Sequence, residues 1–224
     1  MQNIQTIKGV LFDLDGTLTW PGALDFPAIK RELCCPQDQP ILEYLESRPK
    51  SLRTELMKIL EQREEQAAKA SVPNKGAEKC LSVLINKGVS LGILTRNSLD
   101  SVKIALQQFE DFELDDFAAV ITRDFSLPKP HPDGVFQAAR KMGLLPSELL
   151  VVGDFCYDII AGKAAGSLTV FVTNNQKSVM VPGDSEPDYT ISYLSQLLDI
   201  PQLFEDSVQA KYGRAHHSWP HSGS

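Results

Sequence analysis

Two aspartates one residue apart, Asp13 and Asp15, close a short apolar run in the stretch LFDLDGTLT, and Gly16 follows at once. Carboxylates seldom end a buried segment unless something pairs with them. Much later in the chain, Asp154 and Asp158 stand four residues apart, a spacing that predicts one shared face at the start of a helix. Ordinary capping and dipole compensation would explain that pair by itself. Brought to one place, however, Asp13, Asp154 and Asp158 would repel one another, and would either hold protons or bind a cation. Carboxylate oxygens without histidine or thiolate suit a hard ion, and Mg²⁺ is the ion expected. Such an ion tolerates a phosphate beside the carboxylates.

Two further segments supply groups for an anion. Thr95 lies just before a helix start marked by Asn97 and Ser98, where free N–H groups and the positive end of the dipole favour negative charge. Asn97 and Ser98 also serve as N-caps whether or not an anion binds. Lys129 sits in Pro128-Lys129-Pro130-His131-Pro132, and the prolines on either side hold it in an extended loop. On its own it is a surface lysine; opposite three carboxylates it is their counter-charge. Arg96 reads first as a solvated side chain, His131 as structural or exposed, and Cys156, with no base beside it, as packing.

The elements that must position these residues alternate. Val10-Leu11-Phe12 is a short buried strand starting near Lys8 and broken by Gly16. Residues from about Trp20 to Val72 are helix-rich and charged. Within them, Leu52, Leu56, Ile59, Leu60, Arg63 and Ala67 recur at helical spacing, so 51–70 is one amphipathic helix, with Glu65 and Lys69 paired on its solvated side. After Pro73 the pattern predicts helix 77–86, strand 89–94, helix 98–109, strand 118–121, helix 132–142, strand 149–152, helix 157–165 and strand 168–172. Strands alternating with helices imply an α/β fold: a doubly wound, Rossmann-like parallel sheet with helices on both faces. The helical segment after the first strand is then an insertion, a small lid on two linkers. The expected division is a core of 1–19 and 74–205, a helical cap of 20–73 and a flexible tail of 206–224. In a doubly wound sheet ligands sit beyond the carboxyl ends of the strands, and the four segments above all fall at that edge.

Composition sets the outer bounds. The chain has 224 residues, 42% hydrophobic and 23% charged, ordinary for a globular protein. A net charge of −7 argues against nucleic acid as partner, though a metal and a few placed cations can reverse the sign locally. No apolar stretch approaches the ~20 residues of a membrane span, and 1–8 lacks a signal-peptide layout. A cytoplasmic protein is expected, monomer or weak homodimer. Cys34, Cys35, Cys80 and Cys156 follow no metal or disulfide spacing and read as free thiols. His216, His217 and His221 fall in the tail, which reads as disordered and polar rather than metal-binding.

Taken in order, Asp13-Leu14-Asp15-Gly16-Thr17, Leu94-Thr95-Arg96-Asn97, Lys129-Pro130 and Gly153-Asp154-Phe155-Cys156-Tyr157-Asp158 resemble the four motifs of the haloacid dehalogenase superfamily. The resemblance runs from about Lys8 to Leu198 and is nearest to its phosphoglycolate-phosphatase-like hydrolases. The insert resembles the class I cap of that superfamily, in a shorter form. The resemblance implies a Mg²⁺-dependent phosphatase acting on a small phosphorylated metabolite. In it Asp13 is the nucleophile that becomes an aspartyl phosphate, and Asp15 the general acid and base. Thr95, Arg96, Asn97 and Lys129 form the phosphate-binding set. Mg²⁺ is held by Asp13, by Asp15 through its backbone carbonyl, by Asp154, and by Asp158 directly or through a water. Asp15 is expected to titrate above a free aspartate because other carboxylates crowd it. A phosphomutase of the same fold shares the aspartate pair and is the alternative; a non-catalytic binding protein is a third reading. Trp20 and Phe26 open the lid and are expected in core contacts or at its hinge. Arg31, Arg53 and Arg63 are surface charges or else meet an anionic substrate.

Overall fold

The computed structural model describes residues 6–176 and 186–203. The tail 206–224, with its three histidines, lies outside the described residues. Six strands form one sheet: β1 (Gly9–Phe12), β2 (Ser90–Leu94), β3 (Ala119–Ile121), β4 (Leu149–Gly153), β5 (Leu168–Val172) and β6 (Tyr189–Ile191), in the order β3-β2-β1-β4-β5-β6. Every pairing is parallel. β6 was not foreseen from sequence: Tyr189, Thr190 and Ile191 are three residues at the sheet's edge, too short for a period to show.

The strands read as continuous apolar runs because both faces are covered. Val10 and Phe12 point into one core with Leu91, Ile93, Leu150 and Val152, beneath α4 (Ala77–Asn86) and α5 (Leu99–Leu106). Leu11 points the other way, joining Val151, Ile121 and the helices α6 (Asp133–Met142) and α7 (Cys156–Ala165). This is the period-2 alternation of a strand expressed in two dry layers. Each such fully buried Leu, Val or Phe contributes roughly 1.5–3 kcal/mol. α6 and α7 end on Gly143 and Gly166, both left-handed, the ordinary glycine stop.

Between β1 and α4 the chain makes α1 (Phe26–Glu32), α2 (Ile41–Glu46) and α3 (Lys50–Ala70). These helices bury a cluster of their own, built on Ile29, Leu33, Leu45 and Leu60. The segments entering and leaving run side by side: Trp20 N–H bonds the Val72 carbonyl at 2.8 Å, and Asn74 N–H bonds that of Leu18 at 2.8 Å. The inner stripe of α3 differs from the one read in sequence. Leu60, Glu64, Ala67 and Ala68 are buried, whereas Leu52 is exposed and Arg63 pairs with Glu32 at the surface. A buried carboxylate, not an arginine, completes the stripe, because a core arginine meets it there. Trp20 and Phe26 are exposed rather than packed in a core. Arg53 pairs with Glu46, and Glu65 with Lys69. All four cysteines are free thiols, Cys34 exposed and the rest buried. No helix among the described residues is long and apolar enough to cross a membrane.

Candidate active site

β1 lies between β2 and β4, so connections leave it in opposite directions, and the crevice beyond its carboxyl end is the switch point of the sheet. Asp13 follows β1 directly, its N–H bonded to the Val152 carbonyl at 2.8 Å. Thr95 follows β2 and Asp154 follows β4. Asp13, Asp15, Thr95, Arg96, Asn97, Lys129, Asp154 and Asp158 all line one cavity of about 470 Å³. The structure thus gathers these eight residues into one place.

Lys129 is the hub. It is almost wholly buried, and its ammonium donates to Asp13 Oδ1 at 2.6 Å and to Asp158 Oδ1. Burial alone would pull its pKa down, but the two carboxylates outweigh it and push it up to about 12, so it stays charged. The second oxygen of Asp158 accepts the Phe155 N–H at 3.2 Å, which caps α7. Both oxygens of Asp158 are therefore engaged. Asp154 does not share the helix face expected from its spacing: it lies in the turn before α7, and only Asp158 is helical. Even so, oxygens of Asp13, Asp154 and Asp158 lie within 4.8 Å of one another. Burial first, then the charges of Asp13 and Asp158, raises Asp154 well above the ordinary carboxylate range.

Two glycines make this packing possible. Gly16 has φ +80°, and a Cβ there would fall 2.0 Å from Asp154 Oδ2. A Cβ on Gly153 would fall 2.1 Å from the Asp158 carboxyl carbon. Each position needs a missing side chain so that a carboxylate can enter.

Asp15 receives a hydrogen bond from the Asn97 amide at 2.5 Å. Its pKa is raised to about 7, first by burial and second by the Asp13 charge, with Asn97 opposing. The direction agrees with the expectation from sequence, but desolvation rather than crowding leads. Thr95 is buried, its hydroxyl accepting the Asn97 N–H at 3.2 Å, and Ser98 caps α5. Arg96 is not a solvated side chain. Its guanidinium grips Glu43 of α2 at 2.6 and 3.0 Å, donates to the Lys129 carbonyl and lies 5.2 Å from the Tyr157 ring centre. His131 accepts the Asp133 N–H at the start of α6, a structural role.

Four residues at the site escaped sequence reasoning. Asn74 donates to the Thr17 carbonyl at 2.8 Å and to the Asn174 side chain at 3.0 Å, while Asn174 donates to the Gly16 carbonyl at 2.7 Å. This buried pair fixes the turn after Asp15. Asn174 sits just past β5, at the same sheet edge as the other candidates, and that position was the available signal. The others, Glu64 and Arg123, form a buried ion pair at 2.6 Å between α3 and the end of β3. Burial raises Glu64, and Arg123 offsets it. No local signal marks such a pair.

Residues 7–166 match the family model of haloacid dehalogenase-like hydrolases. The chain is 30% identical over 205 residues to an uncharacterized hydrolase of Saccharomyces cerevisiae, YOR131C, covering 90% of this chain and 94% of that protein. It is 29% identical to a putative pyrophosphatase, PpaX, of Clostridium perfringens, covering 87% and 97%. A solved structure of a predicted phosphoglycolate phosphatase from Haemophilus somnus superposes with a TM-score of 0.66 at 21% identity, covering 87% and 97%, a likeness of fold. The chain belongs to the haloacid dehalogenase-like hydrolases, and it is an enzyme of that class.

Proposed function

We propose that this hydrolase is a Mg²⁺-dependent phosphatase that cleaves a small phosphomonoester through an aspartyl phosphate on Asp13. The observation that carries the reading is the contrast between two neighbouring carboxylates. Asp13 is held by the Lys129 ammonium, while Asp15 titrates near 7 beside it. An acid raised toward neutrality suits proton transfer, and a carboxylate held by an ammonium suits attack on phosphorus. Asp13 Oδ1 accepts from Lys129, which leaves Oδ2 as the attacking atom. Its lone pair forms the bond to phosphorus as the bond to the ester oxygen breaks, and that oxygen leaves with a proton from Asp15. The ionised Asp15 then takes a proton from water as the water oxygen attacks phosphorus, releasing phosphate and restoring both side chains. Thr95 and Lys129 orient the transferred phosphoryl oxygens; Asn97 holds Asp15 in place.

The donor set fits a hard divalent cation: three clustered carboxylates, all oxygen, with Asp154 raised by burial and by the charges of Asp13 and Asp158. Asp13, the Asp15 carbonyl and Asp154 would hold Mg²⁺, with Asp158 acting directly or through a water. When bound, the ion supplies positive charge against the substrate's own. The self-contained cluster of α1–α3 and its paired linkers support reading 20–73 as a cap over a core of 1–19 and 74–205.

The test is phosphate release from p-nitrophenyl phosphate with Mg²⁺ and with chelator, for the natural chain and Asp13→Asn. Mg²⁺-dependent release that vanishes in a folded Asp13→Asn, checked by mass for deamidation, is expected. Undiminished release by that variant overturns the reading.

A further inference from the structure

We propose that the alcohol leaving this site is uncharged and carries an apolar face, and that esters with a second anionic group are poor substrates. The inference rests on the phosphatase reading above and names its substrate class. Away from the aspartates, the cavity is walled by Phe26, Ile41, Leu42 and Leu60 from the helical insert, and by Phe155 and Tyr157 from the core. Phe26 and Phe155 are 51% and 52% exposed, large apolar faces left open toward the pocket. Phe155 and Tyr157 meet edge to face at 4.9 Å, which fixes their rings.

Two of the three cations on the same walls are already paired with carboxylates. Among the described residues lining the cavity, Lys30, Arg96 and Lys129 carry positive charge. Lys129 lies between Asp13 and Asp158. Arg96 is closed onto the Glu43 carboxylate and the Lys129 carbonyl. Lys30 donates to the Gln37 carbonyl at 2.7 Å and keeps its charge. The same walls carry Asp38, which offsets that charge, and Glu64, which is already paired with Arg123. A carboxylate or second phosphate on the leaving group would lose its water here without gaining a net counter-charge. A neutral ring loses only water around carbon, and covers Phe26 and Phe155 as it enters.

Benzyl phosphate and phosphoglycolate test this fairly, since both release a primary alcohol and differ in ring against carboxylate. With Mg²⁺ and the intact chain, benzyl phosphate should have a kcat/KM at least about tenfold above those of phosphoglycolate and pyrophosphate, the size of one missing charge-assisted contact. Glu43→Gln, which releases Arg96, should raise the phosphoglycolate-to-benzyl ratio about tenfold. Phe26→Arg, which adds an uncommitted cation at an exposed position, should move it the same way and stands in if Glu43→Gln does not fold. Equal or better turnover of phosphoglycolate or pyrophosphate by the natural chain overturns the proposal and leaves the phosphatase reading intact. An unmoved ratio in a folded variant overturns it too. No phosphate from any ester overturns both.

Discussion

Replacing Asp154 by asparagine should make the metal-free protein more stable and the Mg²⁺-treated protein inactive. Asp13, Asp154 and Asp158 present oxygens within 4.8 Å of one another, and at an effective dielectric near 20 two full charges at that distance repel by about 3.5 kcal/mol. Lys129 lies against Asp13 and Asp158 and cancels much of this, so a net gain of about 1–2 kcal/mol is expected for the amide. For a chain of this size that is a rise in Tm of roughly 3–6 °C. The sign depends on pH. Asp154 titrates above its unfolded value, so the folded state binds more protons there, and its charge costs stability only above a pH of about 4. The gain from Asp154→Asn should therefore be absent at about pH 4 and grow as pH rises through the raised folded pKa. On the Mg²⁺ reading the order should reverse: at a hundredfold excess over Kd the ion should stabilise the natural chain by about 2.7 kcal/mol, and the variant far less. Thermal melts in EDTA and in Mg²⁺ across that pH range read all of this. A folded variant less stable than the natural chain in EDTA at pH 7.5, or one with the full Mg²⁺ shift, refutes the reasoning.

If Asp15, near 7, is the proton donor proposed above, kcat/KM on benzyl phosphate should fall above about pH 7, approaching tenfold per unit. p-Nitrophenyl phosphate, whose leaving group needs no proton, should fall far less, and parallel profiles would contradict the assignment. Glu64→Gln leaves Arg123 buried beside a neutral amide, so a loss of about 3 kcal/mol is expected in urea unfolding, the cost of breaking a buried pair; Glu65→Gln, at an exposed pair, should cost well under about 1 kcal/mol. Gly16→Ala sets a Cβ 2.0 Å from Asp154 Oδ2 at φ +80°. It should lower stability by about 1–3 kcal/mol and weaken Mg²⁺-dependent turnover together, and an unchanged Mg²⁺ titration would refute the packing argument.

The core of the site was legible because topology does the gathering. Once the chain is read as alternating strand and helix, every strand's carboxyl end falls on one edge, and Asp13, Thr95, Lys129 and Asp154 must meet without any pairwise information. The fold was legible for the same reason: the runs 10–12, 91–94 and 149–153 are apolar throughout because both faces are covered. What stayed hidden is pairwise. Arg96 reads as solvated because nothing near it in sequence accepts a bond; its partner Glu43 lies on α2, 53 residues away. Asp154 was placed on a helix because a spacing of four fits one, whereas the turn ends only at Cys156. β6 is three residues long and leaves no periodic trace.

Those pairwise contacts share one polarity. At every ion pair joining insert and core among the described residues the cation belongs to the core and the anion to the insert: Arg123 with Glu64 and, at 3.8 Å, with Glu61, and Arg96 with Glu43. The two arginines differ in environment. Arg123 and Glu64 are 7% and 5% exposed, so salt screens them little and neither can be lost alone without stranding the other. Arg96 and Glu43 are 21% and 46% exposed, a pair that salt weakens and that adds little to stability. The buried pair therefore fixes where α3 lies over the core. The open pair, whose Arg96 lines the cavity, would on the proposal above set the charge a substrate meets, because it decides whether Arg96 faces a bound ester as a cation or as half of a neutral couple. Stability and selectivity would then rest on different pairs, and a substitution at Glu43 should change which esters react while leaving the Asp13–Lys129 contact in place.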